Sequence, residues 1–132
     1  MTRQVFILIL SICLVIFGGM LECRYLKNSC NYVLADIEYT ENALNNNNFI
    51  VAKEHIKELE KSWNNVKDSW NIFVQNDLID EIEESLILFK EYVNIETKEE
   101  SIVYANVLRA NLQDIVNRQK VNFENVFWLI IL

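Results

Sequence analysis

The sequence predicts an all-α protein, an N-terminal transmembrane helix followed by an antiparallel bundle of about four helices. Three observations carry this. The chain has no Pro and only two Gly, the adjacent Gly18 and Gly19, so the usual residues of hairpins and tight loops are missing beyond residue 19. Apolar residues recur three and four apart along successive stretches, the period of a helix with one buried face. Residues Val5–Leu21 are uncharged, while all 19 acidic residues lie beyond them. With 132 residues there is room for one core plus an anchor. The sequence divides accordingly into an uncleaved membrane anchor (residues 1–22), an acidic helical domain (23–127) and an apolar C-terminal tail (128–132).

The anchor follows Arg3 and is closed by Glu22 and Arg24, the layout of a signal peptide or signal anchor. As a helix its 17 residues span roughly 26 Å, near the short limit for crossing a bilayer. Cleavage requires small residues one and three positions before the cut; the only small pair, Gly18 and Gly19, is adjacent, so an uncleaved anchor is expected. Cys13 follows Ile12 and Cys23 follows Glu22, neither a small residue, which argues against an acylated cysteine. Arg3 on one side nearly balances Arg24 and Lys27 on the other. The short N-terminal flank places it inside the cell and the domain outside, in a single-pass topology at the cell membrane.

A first helix continues from the anchor through Leu26, Cys30, Val33, Ile37 and Leu44 to a stop at Asn45–Asn48. The second has the cleanest stripe: Phe49, Ala52, Ile56, Leu59, Trp63, Val66, Trp70 and Phe73. Ile79, Ile82, Leu86, Phe89 and Val93 mark a third, with Asp77 as the expected N-cap. After a break near Glu96 and Thr97, a fourth carries Ser101, Ala105, Leu108, Leu112 and Ile115, and Thr97 with Glu100 reads as a capping box. Short connections favour antiparallel packing, and no 34-residue repeat indicates a solenoid. Val126–Leu132 is an uninterrupted apolar run, too short to span a membrane, which either packs on the bundle, dips into the bilayer surface or meets a partner.

Beyond Leu21 the chain holds 11 Lys and Arg against 19 acidic residues, a net charge of −8, so nucleic acid is not an expected partner. Cys23 and Cys30, seven apart on one helix, stand roughly 10 Å apart along its axis, too far for a bridge between them. An interchain bridge in a parallel homodimer is the disulfide that this spacing allows.

Candidate chemistry is sparse. His55 and Glu58 share a helix face, yet two ligands are not a metal site. Asp77, Asp80, Glu81, Glu83 and Glu84 form the densest acidic stretch, but their spacing does not match an EF-hand loop and reads as a polar helix start. Trp63 and Trp70 lie seven apart on one face, suited to core packing or to lining an aromatic pocket between helices. With one His, no Gly-rich loop and cysteines in or near the anchor, no nucleophile with a base and no metal set can be assembled. No catalytic residue, cofactor or metal is expected.

Ala52, Leu59 and Trp63, the stretch Ile79-Asp80-Glu81-Ile82, Leu86 with Glu91-Tyr92-Val93, Leu108, Leu112 and Asn125-Val126-Phe127 together resemble an uncharacterised family of small proteins from endospore-forming and related Gram-positive bacteria. That family pairs a short N-terminal anchor with a helical domain of unknown function. The resemblance covers most of residues 25–127 and implies membrane attachment and a domain outside the cytoplasm, but no activity. The chain departs from it at Asn76 and Asp114, where members often carry His, and in the extension Trp128–Leu132.

The expected function is that of a membrane-anchored, non-enzymatic envelope protein, an interaction or accessory component. It would hold the membrane through residues 5–21 and a protein partner through its acidic face or its tail. The alternative is a ligand-sensing extracytoplasmic bundle. Trp63, Trp70, Phe127 and Trp128 are the candidate partner or ligand surface.

Overall fold

The computed structural model describes all residues, Met1–Leu132. Four helices make up nearly the whole chain: α1 Thr2–Asn45, α2 Phe49–Phe73, α3 Asn76–Asn94 and α4 Lys98–Ile131. Each packs against its neighbours in sequence, and α4 closes the ring against α1. The connections are two or three residues long, which forces successive helices to run antiparallel.

None of the three turns contains glycine, and two of them put another residue in the left-handed conformation. At the end of α1, Asn47 takes a left-handed conformation (φ 56°). Its N–H donates to the Leu44 carbonyl and that of Asn48 donates to the Ala43 carbonyl, the pair of bonds of a Schellman motif. The end of α3 repeats it with Glu96 (φ 62°): Glu96 N–H reaches the Val93 carbonyl and Thr97 N–H the Tyr92 carbonyl. Asparagine tolerates this backbone region and glutamate does so at a cost, so the absence of glycine did not prevent tight turns. Within the Asn run the roles divide: Asn47 turns the chain, and Asn48 caps α2 by accepting the Val51 N–H on its side chain at 3.2 Å.

Two capping expectations are corrected. The N-cap of α3 is Gln75, one residue before the helix starts at Asn76, and its side chain makes no cap bond. Asp77 lies inside the first turn, where its carboxylate accepts the Leu78 N–H at 3.1 Å and faces the positive helix end. Thr97 is the N-cap of α4, but its hydroxyl donates back to the Tyr92 carbonyl of the preceding Schellman turn, so the capping box with Glu100 does not form.

The core follows the apolar stripes closely. Every expected stripe residue of α1, α3 and α4 is buried, as are Ala52 to Trp70 of α2; only Phe49 and Phe73, at the ends of α2, are partly exposed. Four of the five buried hydroxyls are satisfied within their own chain segment, Ser29, Thr40, Ser85 and Ser101 each donating to a carbonyl four residues back, while Ser62 of α2 donates to the Asp36 carboxylate of α1. Ion pairs tie neighbouring helices on the outside, among them Arg109 with Glu41 between α4 and α1, and Lys67 with Glu83 between α2 and α3.

The bundle occupies only part of the two longest helices. The first buried residue of α1 is Leu26 and the last of α4 is Ile115. Beyond those points α1 (residues 2–22) and α4 (116–131) leave the bundle side by side from the end that also carries the α2–α3 turn. The segment 128–132 is thus the end of α4 with no break before it.

Candidate functional site

Two places in the fold bring together the residues singled out by sequence. The first is the indole pair of α2. The 3.6-residue repeat stacks Trp63 and Trp70 on the same face two turns apart, and their rings meet edge to face with centroids 5.7 Å apart. They are 2% and 0% exposed, which makes them core and not surface. Their polar atoms fare differently. Trp70 Nε1–H donates to Ser29 Oγ at 2.8 Å, and Ser29 passes its own proton to the carbonyls of Tyr25 and Leu26, closing a buried chain from α2 to α1. Trp63 Nε1–H has no partner. Trp63 borders a shallow cleft between α2 and α3, rimmed by Glu60, Glu83, Lys90 and Glu91. Lys90 pairs with Glu60 at 2.6 Å across it.

The second place is the two-helix stalk. There α4 runs antiparallel to the apolar part of α1, and Phe123 lies directly on Gly19: a Cβ at that position would collide with the Phe123 ring. At the neighbouring Gly18 nothing comes within 4 Å, so of the Gly pair only Gly19 is needed for close approach. Around it Val15 and Ile16 of α1 face Val126, Phe127 and Ile130 of α4 across a groove of about 300 Å³. Phe123, Phe127 and Trp128 form a short aromatic ladder with centroids 6.4 and 6.5 Å apart. Phe127 is half-buried against α1, whereas Trp128 is 59% exposed and Leu129 76%.

A polar step closes the stalk where it meets the bundle. Cys23 Sγ is 3.8 Å from the Gln119 carbonyl, and Gln119 Nε2 reaches the Phe73 carbonyl at 3.4 Å. Burial raises the Cys23 thiol above its ordinary value, and the charges of Glu22 and Glu124 add to the shift, so the thiolate is disfavoured. Burial also raises the Glu22 carboxyl. Cys30, fully inside the bundle, is pushed up to about 11 by desolvation. Such thiols are poor nucleophiles and poor metal ligands at neutral pH.

The remaining candidates are spread apart. His55 stacks on Tyr39 at 5.6 Å, while Glu58 turns to Lys61. Glu83 of the acidic stretch pairs with Lys67, raising that lysine. No three His, Cys, Asp or Glu side chains are grouped so as to hold a metal ion. Two residues that sequence reading passed over carry the stalk and the Trp70 bond. In the sequence Gly19 bears on turn formation and on cleavage, although a glycine in an apolar helix also signals close helix approach. Ser29 falls beside the apolar stripe, with no pattern to mark it.

No curated protein and no solved structure matches this chain. A family model matches residues 20–126, from just after Gly19 in α1 to just before Phe127 in α4, so it takes in the whole bundle. The chain belongs to the DUF4363 family, a domain of unknown function.

Proposed function

We propose that this chain is a membrane-anchored, non-enzymatic helical bundle that serves as an interaction or accessory component of the cell envelope, with the bundle outside the cytoplasm. The observation that carries the reading is the exposure of the apolar segment of α1. It is long and apolar enough to cross a membrane, with a mean hydropathy of 2.6 over its best 18 residues, and no residue of that window is buried by the rest of the chain. A soluble protein that exposed such a segment to water would aggregate, whereas lipid satisfies it. Gly19 and Phe123 favour an anchor that is retained, because cleavage would strip α4 of its partner.

The bundle offers a partner an acidic surface with scattered apolar side chains, including Tyr32, Ile87 and Val103. Its buried hydroxyls are already satisfied and its buried thiol is disfavoured as a nucleophile, so the chemistry of the site supports binding over catalysis. The test is photo-crosslinking in cells from residues 32, 87 and 103 of the full chain, with membrane and soluble fractions analysed separately. The expected result is a discrete adduct with one envelope protein in the membrane fraction. Recovery of the chain in the soluble fraction would remove the anchor, and a clean uncrosslinked monomer from all three positions would remove the partner.

A second reading, ligand sensing between α2 and α3, rests on the unpartnered Trp63 N–H beside the Glu60–Lys90 cleft. A small polar ligand accepting that proton would shift indole emission; a flat response to a panel of metabolites and cations at millimolar concentration would reject it.

A further inference from the structure

We propose that the end of α4, Val126–Leu132, is embedded in the same membrane leaflet as the second half of the α1 apolar segment, making the stalk a two-helix insertion whose covering partner is lipid. The inference rests on the anchored reading above and adds a second contact with the membrane.

Register carries the argument. Cys23 meets Gln119 and Gly19 meets Phe123, so positions on the two antiparallel helices pair with a constant sum, and the level of α1 fixes the level of α4. The last charge on α1 before its apolar segment is Glu22. On α4 the last charge is Glu124, opposite Gly18 and about one turn deeper, within reach of the headgroup region. Past these two carboxylates neither helix carries a charged side chain over the depth they share. The boundary between polar and apolar sequence therefore falls at nearly the same height on both helices, although they are almost a hundred residues apart in the chain.

Exposure agrees with that boundary. In the bundle, the apolar residues of α4 are interspersed with polar ones and most of them turn inward, Val103 and Val107 excepted. From Val126 onward every residue is apolar, and Trp128, Leu129, Ile131 and Leu132 are exposed. A helix apolar all round requires an apolar surrounding on all sides. One side is met by Val15, Ile16 and Gly19, and the apolar surface left over runs on without a break into the exposed surface of α1, whose surrounding is lipid. The small residue at the crossing is what close helix packing in lipid uses. From Gln119 to Leu132 the helix covers roughly 20 Å, which brings its end to the level of Leu10, near the middle of the apolar segment. The unanswered carbonyls of that last turn are the cost of the arrangement, offset by thinning of the bilayer around a short anchor. At the rim of the bundle end, exposed Ile72 and the Phe73 ring packed on Tyr25 face the same boundary.

The test uses the full chain reconstituted in vesicles of phosphatidylcholine and phosphatidylglycerol. The fluorescence of Trp128 is obtained as the difference between wild type and the Trp128→Phe variant, with flotation of each sample recorded. Acyl chains brominated near mid-depth should quench Trp128 by at least half, and aqueous iodide should leave it unchanged. Gly19→Val, which drives Phe123 off α1, should still float and still show a helical bundle, but should lose most of the bromolipid quenching. Flotation with Trp128 quenched by iodide overturns the insertion and leaves the anchor standing. Flotation with Trp128 shielded from both quenchers identifies protein, a second copy or a partner, as the cover and also overturns it. Failure to float overturns the anchor itself, and the insertion with it.

Discussion

Replacing each buried indole by phenylalanine in turn isolates the one difference between two otherwise matched residues. Trp63 and Trp70 sit on the same helix, both within 2% of complete burial, and pack on one another. Trp→Phe at either site removes a similar volume, and the lost burial with its residual cavity costs about 1–2 kcal/mol. At Trp70 the substitution also removes the 2.8 Å bond to Ser29 Oγ, adding about 1 kcal/mol, for a total of about 2–3 kcal/mol. At Trp63 it deletes an N–H that has no partner, whose desolvation already burdens the folded state by about 1–3 kcal/mol, so the net cost falls to about 1 kcal/mol or less. The gap between the variants is thus about 2 kcal/mol, or roughly 10 °C in Tm for a bundle of this size. Thermal unfolding of the full chain in mild detergent, followed by near-ultraviolet circular dichroism, reads it directly. A Trp63→Phe variant as destabilised as Trp70→Phe would refute the assignment of the two N–H groups. A further check is the cycle of Ser29→Ala with Trp70→Phe, which should couple by about 1 kcal/mol and would be additive if the bond were absent.

Three other perturbations have calculable outcomes. Glu96→Gly should leave the bundle equally stable or stabilise it by about 0.5–1 kcal/mol, since relief of the left-handed backbone outweighs loss of the half-exposed pair with Lys53, whereas Glu96→Val should cost more than about 1 kcal/mol; urea midpoints measure both. Asn48→Ala removes the side-chain cap of α2 and should cost about 1 kcal/mol in the same assay. Cys30 titrates near 11 in the fold against 9.0 without it, so its contribution is fully present below about pH 9 and is lost as pH rises toward 11. That window should show a stability loss of a few kcal/mol at most that Cys30→Val abolishes, and at pH 8 maleimide should label Cys30 at least ~100-fold more slowly in the folded than in the denatured chain.

The helices and their buried faces were legible because a bundle core needs little beyond periodic apolar residues, and the stripes from Leu26 to Ile115 supply it with hardly an interruption. What escaped was local. Asp77 looks like a cap, but the extended backbone at Val74 and Gln75 starts α3 earlier, and Thr97 spends its hydroxyl on the turn behind it. With no glycine to mark the turns, their left-handed residues are not visible in the sequence, and Asn47 and Glu96 accept that conformation themselves. The shared face of the indole pair is legible in their spacing, but which N–H finds a partner depends on Ser29, forty-one residues away from Trp70 along the chain. The position of the apolar tail could not be read either. Three sites for it were compatible with the sequence, and only the register set by Gly19 and Phe123 puts it along α1.

The central claim is that the apolar segment of α1 is a retained membrane anchor on which the bundle is mounted. Its most direct test is the intact mass of the chain left in membranes from expressing cells after washing with alkaline carbonate. The account predicts the full-length product, 15.6 kDa, in the washed membrane pellet. Release into the wash, or a mass shortened by the residues up to about Leu21, would contradict it.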